Sequence, residues 1–113
     1  MSIFEIATAA TEAVSPAPGR PATTLVHDVP AGRLIVFRLE PGQRVEPHTS
    51  PSTVILVVAS GSGIVLGADG ERPVHAGHVV TYAPNELHAM RALSHPLVLL
   101  AIIAPRPGSG SSG

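Results

Sequence analysis

The sequence of 113 residues predicts a single all-β domain, a sandwich or barrel, preceded by a short N-terminal helix or strand. Short runs rich in Val, Ile, Leu and Thr recur at regular spacing, and each run ends at Gly, Pro, Asn or Asp. Aromatic residues make up only 3% of the chain against 44% hydrophobic residues, so aliphatic side chains must form the core. Long helices do not alternate with these runs, which argues against a parallel α/β fold.

Residues 1–22 are predicted to form an N-terminal element and a connector ahead of the β domain. Ser2 and Glu5 have the spacing of a capping box, which favours a helix over residues 2–14. Its apolar face would consist of Ile3, Ala7, Ala10 and Val14. Alternation at the start of the chain also permits a strand. Three prolines then predict an extended connector over residues 15–22.

The β domain is predicted to span residues 23–105, with turns rich in Gly, Pro, Asn and Asp between its strands. Strands are predicted at 24–28, 32–40, 43–49, 53–59, 62–67, 72–75, 78–82, 87–93 and 96–103. Residues 106–113 are predicted to form a flexible Gly/Ser tail without a function of its own.

Two segments, 54–58 and 97–103, are apolar on both faces. A strand of an antiparallel sheet with one solvated face should instead alternate between apolar and polar residues. In so small a domain, the second apolar face of these strands is expected to meet another subunit, so the sequence predicts a homodimer. The alternative interpretation is that the N-terminal helix covers this face.

The composition argues against several classes of partner and site. The net charge is −1, with seven basic and eight acidic residues, so no electrostatic attraction to nucleic acid or to an anionic membrane is expected. The absence of cysteine excludes disulfides, thiolate metal ligands and cysteine nucleophiles. The N-terminus lacks the basic and apolar regions of a secretory signal, and a cytoplasmic location is therefore predicted.

Two stretches of sequence carry the most specific pattern in the chain. In the first, five residues separate Gly42 from His48, and the stretch ends at Gly61. In the second, Gly77 is followed by a proline-containing turn and then by His88. In this order and separation, they resemble the two conserved motifs of the cupin superfamily of small β-barrels. The resemblance implies a jelly-roll β-barrel whose cavity both histidines face.

Cupin motifs normally supply three histidines and one glutamate to a metal ion. Here His48 and His88 stand at matching positions, whereas Ser50 and Val54 replace the second histidine and the glutamate. Glu46 lies two residues before His48, so strand alternation would turn it inward as a substitute carboxylate. The candidate metal ligands are thus His48, His88 and Glu46, for a divalent Zn, Ni, Cu, Fe or Mn ion. The opposing interpretation is that the metal site is lost.

The expected pocket residues share the inward faces with the two histidines. They are Ser50, Val54, Leu56, Tyr82 and Met90. The resulting main hypothesis is a cupin-like domain that binds a small-molecule ligand in its cavity, with little or no metal. One alternative is a metal-dependent dioxygenase or isomerase, although two of its usual ligands are replaced. Another is a purely structural dimer with a sealed cavity, which two buried imidazoles without polar partners would make costly.

Overall fold

The computed structural model describes residues 1–108, in which one helix precedes nine strands. Two antiparallel sheets face each other, with strand orders β1-β2-β9-β4-β7 and β3-β8-β5-β6. The all-β barrel and its nine predicted strands are confirmed. The elements are α1 Ile6–Glu12, β1 Ala22–Val29, β2 Gly32–Leu39, β3 Arg44–His48, β4 Thr53–Ser60, β5 Ser62–Gly67, β6 Gly70–His75, β7 Val79–Tyr82, β8 His88–Ala92 and β9 Leu97–Ala104.

The core lies between the two sheets, and the alternation of each strand decides which side chains enter it. In β4, Val54, Leu56 and Val58 are buried, whereas Ile55 and Val57 are half-buried on the outer face. Full burial of an aliphatic side chain of this size contributes about 1.5–3 kcal/mol to folding. The same cluster includes Leu39, Val65, Leu97 and Leu99.

The N-terminal element is a helix, but it is shorter than the sequence predicts. It begins at Ile6, so the N-cap residue is Glu5 and not Ser2. The Glu5 side chain makes no capping hydrogen bond to the backbone and instead accepts a hydrogen bond from the Thr8 hydroxyl. Ile3 and Val14, both predicted on the apolar face, are 87% and 72% exposed. They lie outside a helix of only seven residues, so helical spacing cannot bring them onto its buried face.

Helix α1 packs on the outer face of the first sheet. Ala9 and Ala10 are its buried residues, and they form a second apolar cluster with Val36 of β2. Thr24 fixes this contact by donating its hydroxyl hydrogen to the Ala9 carbonyl at 2.7 Å. The helix therefore covers part of the outer face of the first sheet, to which β4 and β9 both contribute apolar residues. The rest of that face is not covered by any described residue.

The end of the described chain is held against the barrel. Arg106, the first residue of the predicted flexible tail, pairs with Asp28 at 3.3 Å and donates its backbone N–H to the Pro30 carbonyl. Residues 109–113 of that tail lie outside the described residues. Across residues 1–108, no helix combines the length and the apolar character needed to cross a membrane.

Candidate functional site

The two motif histidines meet on adjacent strands of the second sheet, where His88 is buried and His48 is exposed. His48 ends β3 and His88 begins β8, and the two residues are direct partners in the antiparallel register. Their ring centroids are 4.1 Å apart, with the ring planes inclined at 59°. Residues forty positions apart in the sequence thus form one imidazole pair.

A β-bulge in β3 determines which of its residues point inward. Val45 pairs with Met90 and His48 pairs with His88. The step from one pair to the next is therefore three residues along β3 but only two along β8. Pro47 lies within this bulge, where its missing N–H costs no ladder hydrogen bond. Val45 and His48 therefore both line the cavity, although a regular strand would place them on opposite faces.

The structure does not bring Glu46 to the imidazole pair. Its carboxylate accepts a hydrogen bond from Arg44 Nε at 2.7 Å, and its side chain is 68% exposed. The prediction that Glu46 faces inward assumed regular alternation back from His48, which the bulge interrupts. Among the predicted metal ligands, only His48 and His88 are therefore close together.

Backbone carbonyls select the tautomer of both imidazoles in the same way. His48 Nδ1 lies 2.8 Å from the carbonyl oxygen of Glu46, and His88 Nδ1 lies 3.0 Å from that of Glu86. A carbonyl can only accept, so each Nδ1 must carry the hydrogen that is donated. In the neutral rings, both Nε2 atoms therefore keep a free lone pair. The site offers two acceptors side by side.

The environment keeps His88 neutral. Its side chain is buried, and this burial lowers its pKa below the ordinary value, to which the proximity of His48 adds. Tyr82 stacks on the other side of the ring, with centroids 4.7 Å apart and planes inclined at 27°. A neutral His88 is thus enclosed between a second imidazole and a phenol ring.

Tyr82 supports His88 and does not line the cavity. The prediction that Tyr82 is a pocket residue is not met, because it is not among the residues that line the cavity. The hydroxyl donates to the Leu66 carbonyl at 2.8 Å, and the residue is buried. Burial, with the nearby carboxylates of Glu86 and Asp69, raises the pKa of Tyr82 to about 12. This hydroxyl therefore has a structural role and makes no hydrogen bond to either histidine.

The imidazole pair opens on a cavity of about 80 Å³ between the sheets. Ser50, Val54, Leu56 and Met90, all predicted as pocket residues, line it together with the two histidines. The sequence did not identify several further apolar lining residues. These are Phe37, Val45, Ala89, Ala101 and Ile103. The site is an apolar cavity with two nitrogen acceptors and one hydroxyl.

Glu86 organises the loop that precedes His88 and was not predicted as a site residue. Its two carboxylate oxygens accept the backbone N–H groups of Ala68 and Ala83 at 2.9 and 3.0 Å. These hydrogen bonds lower the pKa of Glu86. The same residue supplies the carbonyl that orients His88. Asn85, just before it, has φ of 66°, a left-handed conformation that asparagine adopts more readily than most residues.

A larger vestibule adjoins the cavity on the side of the connector. It has a volume of about 380 Å³ and shares Phe37, Val45 and His48 with the cavity. Its lining includes Arg20 and the ion-paired side chains of Arg44 and Glu46. His48 therefore stands at the junction between an apolar interior and an entrance in which, among the described residues, Arg20 is the one arginine without an acidic partner.

The donor set does not fit a tightly held metal ion. In residues 1–108, no three or more His, Asp or Glu side chains are grouped so as to hold one. Apart from the two histidines, Ser50 is the one polar side chain among the described lining residues of the cavity, and its hydroxyl accepts the N–H of Ser52; the glutamate position of the motif is apolar Val54. Catalytic sites of this kind use at least three protein ligands.

Comparison with known proteins identifies the family and its fold. Residues 27–105 match the family described as the AraC-like ligand binding domain. Among curated proteins, none matches this chain significantly. An RmlC-like cupin protein of Desulfovibrio desulfuricans is 28% identical, with a TM-score of 0.72 over 83% of this chain and 91% of its own.

Two further solved structures share the fold at lower identity. A Klebsiella pneumoniae protein with a double-stranded β-helix domain is 23% identical, with a TM-score of 0.81 over 97% of this chain and 94% of its own. KdgF from Halomonas sp. is 19% identical, with a TM-score of 0.77 over 83% of this chain and 87% of its own. The family match covers most of the chain, and the chain belongs to the AraC-like ligand binding domains of the cupin superfamily.

Proposed function

We propose that this domain binds a small molecule that donates hydrogen bonds to His48 and His88 from within the cavity. The observation that supports the proposal is the matched pair of Nδ1–H bonds to backbone carbonyls, which leaves two Nε2 acceptors beside an apolar space. A hydroxyl or N–H group on an aliphatic body has the complementary chemistry. Membership of a ligand-binding family supports the same function.

The energetics of the two acceptors favour a ligand that carries donors. Leaving a buried acceptor such as His88 Nε2 without a hydrogen bond costs about 1–3 kcal/mol, and the cost is smaller at the exposed His48. A ligand that lacks a donor would displace water from the Nε2 atoms without replacing its hydrogen bonds. Sites of this type discriminate strongly against analogues that lack the donor group.

The test compares small aliphatic 2-hydroxy N,N-dimethylamides, whose amide group has no N–H donor, with their 2-methoxy analogues, with binding followed through the imidazole NMR signals of His48 and His88. Because only the hydroxyl can donate to Nε2, we expect the methoxy compounds to bind about tenfold more weakly or worse. The substitutions His48→Ala and His88→Ala should each remove this difference. The matched control is His95→Ala, because His95 is an exposed histidine outside the cavity. Equal affinity for both series would refute the proposal.

Metal binding by the two Nε2 atoms alone is the second candidate. Two imidazoles whose rings are 4.1 Å apart favour weak coordination of Zn, Ni or Cu over Fe or Mn. The double substitution Ser50→His with Val54→Glu would supply the two ligands that cupin motifs usually contain. Calorimetry with Zn²⁺ should show weak binding by the parent chain and a gain of at least about a hundredfold in the variant. Equally tight binding by both would favour the metal-dependent alternative.

We further propose that the domain forms a homodimer through the uncovered part of the first sheet's outer face. Ile55 and Val57 of β4 lie there beside Ile102 of β9, and Val79 of the edge strand β7 is 58% exposed. A flat apolar face of this kind is costly in water. Val57→Glu should convert a dimer to a monomer in light scattering, whereas Leu93→Glu, at an exposed apolar residue elsewhere, should not. A monomeric parent chain would contradict the proposal. The cytoplasmic location stays a prediction.

A further inference from the structure

We infer that the ligand is a small hydroxylated carboxylic acid whose carboxylate binds Arg20 in the vestibule while its hydroxyl reaches the imidazole pair. This inference rests on the proposed function and specifies its ligand class. It follows from three features of the described residues: two adjacent spaces that share lining residues, the unpaired charge of one arginine, and the polarity of the cavity.

The cavity and the vestibule adjoin each other. Phe37, Val45 and His48 line both spaces, so a molecule bound against His48 lies next to the vestibule. The cavity alone, at about 80 Å³, holds only a short aliphatic group. The vestibule, at about 380 Å³, has room for the remaining part of the ligand. The two volumes suit a molecule with two chemically different ends.

Within the described part of the chain, Arg20 has no carboxylate partner. Among residues 1–108, every arginine except Arg20 and Arg91 forms an ion pair with an acidic side chain. The other guanidinium of the vestibule, that of Arg44, is paired with Glu46. Arg20 therefore presents the unpaired positive charge of this entrance. A planar guanidinium binds a carboxylate through two parallel hydrogen bonds.

The backbone of Arg20 is held in place. Its carbonyl accepts the Ser15 hydroxyl at 2.7 Å and the Gln43 side-chain amide at 3.5 Å. Its N–H donates to the Ala17 carbonyl at 3.1 Å, and Pro21 follows it as a buried residue. The connector is thus tied to the segment that leads into β3. This anchoring fixes the root of the arginine side chain beside the entrance.

The polarity of the cavity sets the orientation of the ligand. Both Nε2 atoms are acceptors, and the rest of the lining is apolar apart from Ser50. A carboxylate placed against them would meet lone pairs and would lose its hydration without gaining donors. The acid group must therefore stay in the vestibule, where Arg20 supplies donors and charge. The hydroxyl and the aliphatic body occupy the inner end.

The experiment measures the affinity of 2-hydroxy-4-methylpentanoate and of its neutral amide by calorimetry and imidazole NMR. The parent chain should bind the acid at least about tenfold more tightly than the amide. Arg20→Gln should remove this preference by weakening acid binding far more than amide binding, whereas Arg20→Lys should retain part of the preference. The matched control is Arg91→Gln, which removes an equally unpaired charge outside the vestibule, and its preference for the acid should equal that of the parent chain.

Three outcomes would overturn the inference, and they separate it from the proposed function. Equal binding of acid and amide, with both perturbing His88, would remove the carboxylate site and leave the proposed function standing. An equal loss of acid binding in Arg20→Gln and Arg91→Gln would reduce the preference to general electrostatic attraction. Failure of both compounds to perturb either imidazole would count against the inference and against binding at the histidine pair.

Discussion

Filling the cavity should stabilise the fold and abolish ligand binding. Ala101 of β9 is 3% exposed and lines the cavity, so Ala101→Val would add two carbon atoms to an apolar space. At about 0.8 kcal/mol for each buried carbon, the gain in the free energy of unfolding approaches 1.6 kcal/mol. Valine also suits a strand better than alanine does. For a domain of this size, the midpoint of thermal unfolding should rise by about 7 °C.

The control is the same substitution at a packed site. Ala92 of β8 is equally buried at 3% and belongs to the core, but it does not line the cavity. Ala92→Val should therefore overpack the core and cost about 1–3 kcal/mol. Both variants can be compared with the parent chain by urea unfolding, and ligand binding can be followed through the signals of His88.

The outcome of this pair of variants discriminates a binding cavity from a packing defect. A destabilised Ala101→Val would show that the space between the sheets is already filled in solution. A stabilised variant that still binds the hydroxy amide at full affinity would show that the ligand contacts the imidazole pair from elsewhere. Either result would refute the assignment of this cavity as the ligand site.

Three further predictions concern the elements around the site. Gly61→Ala should lower the free energy of unfolding in urea by about 3 kcal/mol or more, because φ is +80° and the added Cβ would lie 1.9 Å from the Pro96 carbonyl oxygen. The control Gly77→Ala, at φ +94° with no atom near the added Cβ, should lower it by only about 1 kcal/mol. Tyr82→Phe should cost about 1–3 kcal/mol because it leaves the Leu66 carbonyl unsatisfied, and a neutral result would place water there. Because burial lowers the pKa of His88 from 6.5, its contribution to stability is complete above pH 6.5 and is lost as the pH falls toward the lowered value. His88→Phe should flatten that part of the profile of unfolding free energy against pH.

The strands could be predicted because each ends at a residue that constrains the backbone. Glycines at positive φ, such as Gly42, Gly61 and Gly77, stand at turns between runs of β-branched residues. The helix was less predictable, because the capping signal of Ser2 is weak and tertiary packing of Ala9 and Ala10 decides where the helix begins.

Site residues could be predicted only on strands where the spacing from a histidine shows which side chains point inward. Val54, Leu56 and Met90 follow from their spacing to the histidines, and all three line the cavity. Ala101 and Ile103 were missed because β9 is apolar on both faces, so no polar residue marks which face is inward. Vestibule residues such as Arg20 depend on the path of the connector, which no periodicity describes.

The bulge at Pro47 separates two properties of the site that a regular strand would couple. Deleting Pro47 would restore an even count between Val45 and His48, so the imidazole would still enter the barrel. The Glu46 carbonyl, which now accepts the hydrogen bond from His48 Nδ1, would however belong to the residue directly before the histidine and would be out of line with the ring. A chain without this proline would hold the same two rings with one of them free to exchange its tautomer. The sheet register thus determines where the His48 ring lies, and the one inserted residue determines which ring nitrogen carries the hydrogen.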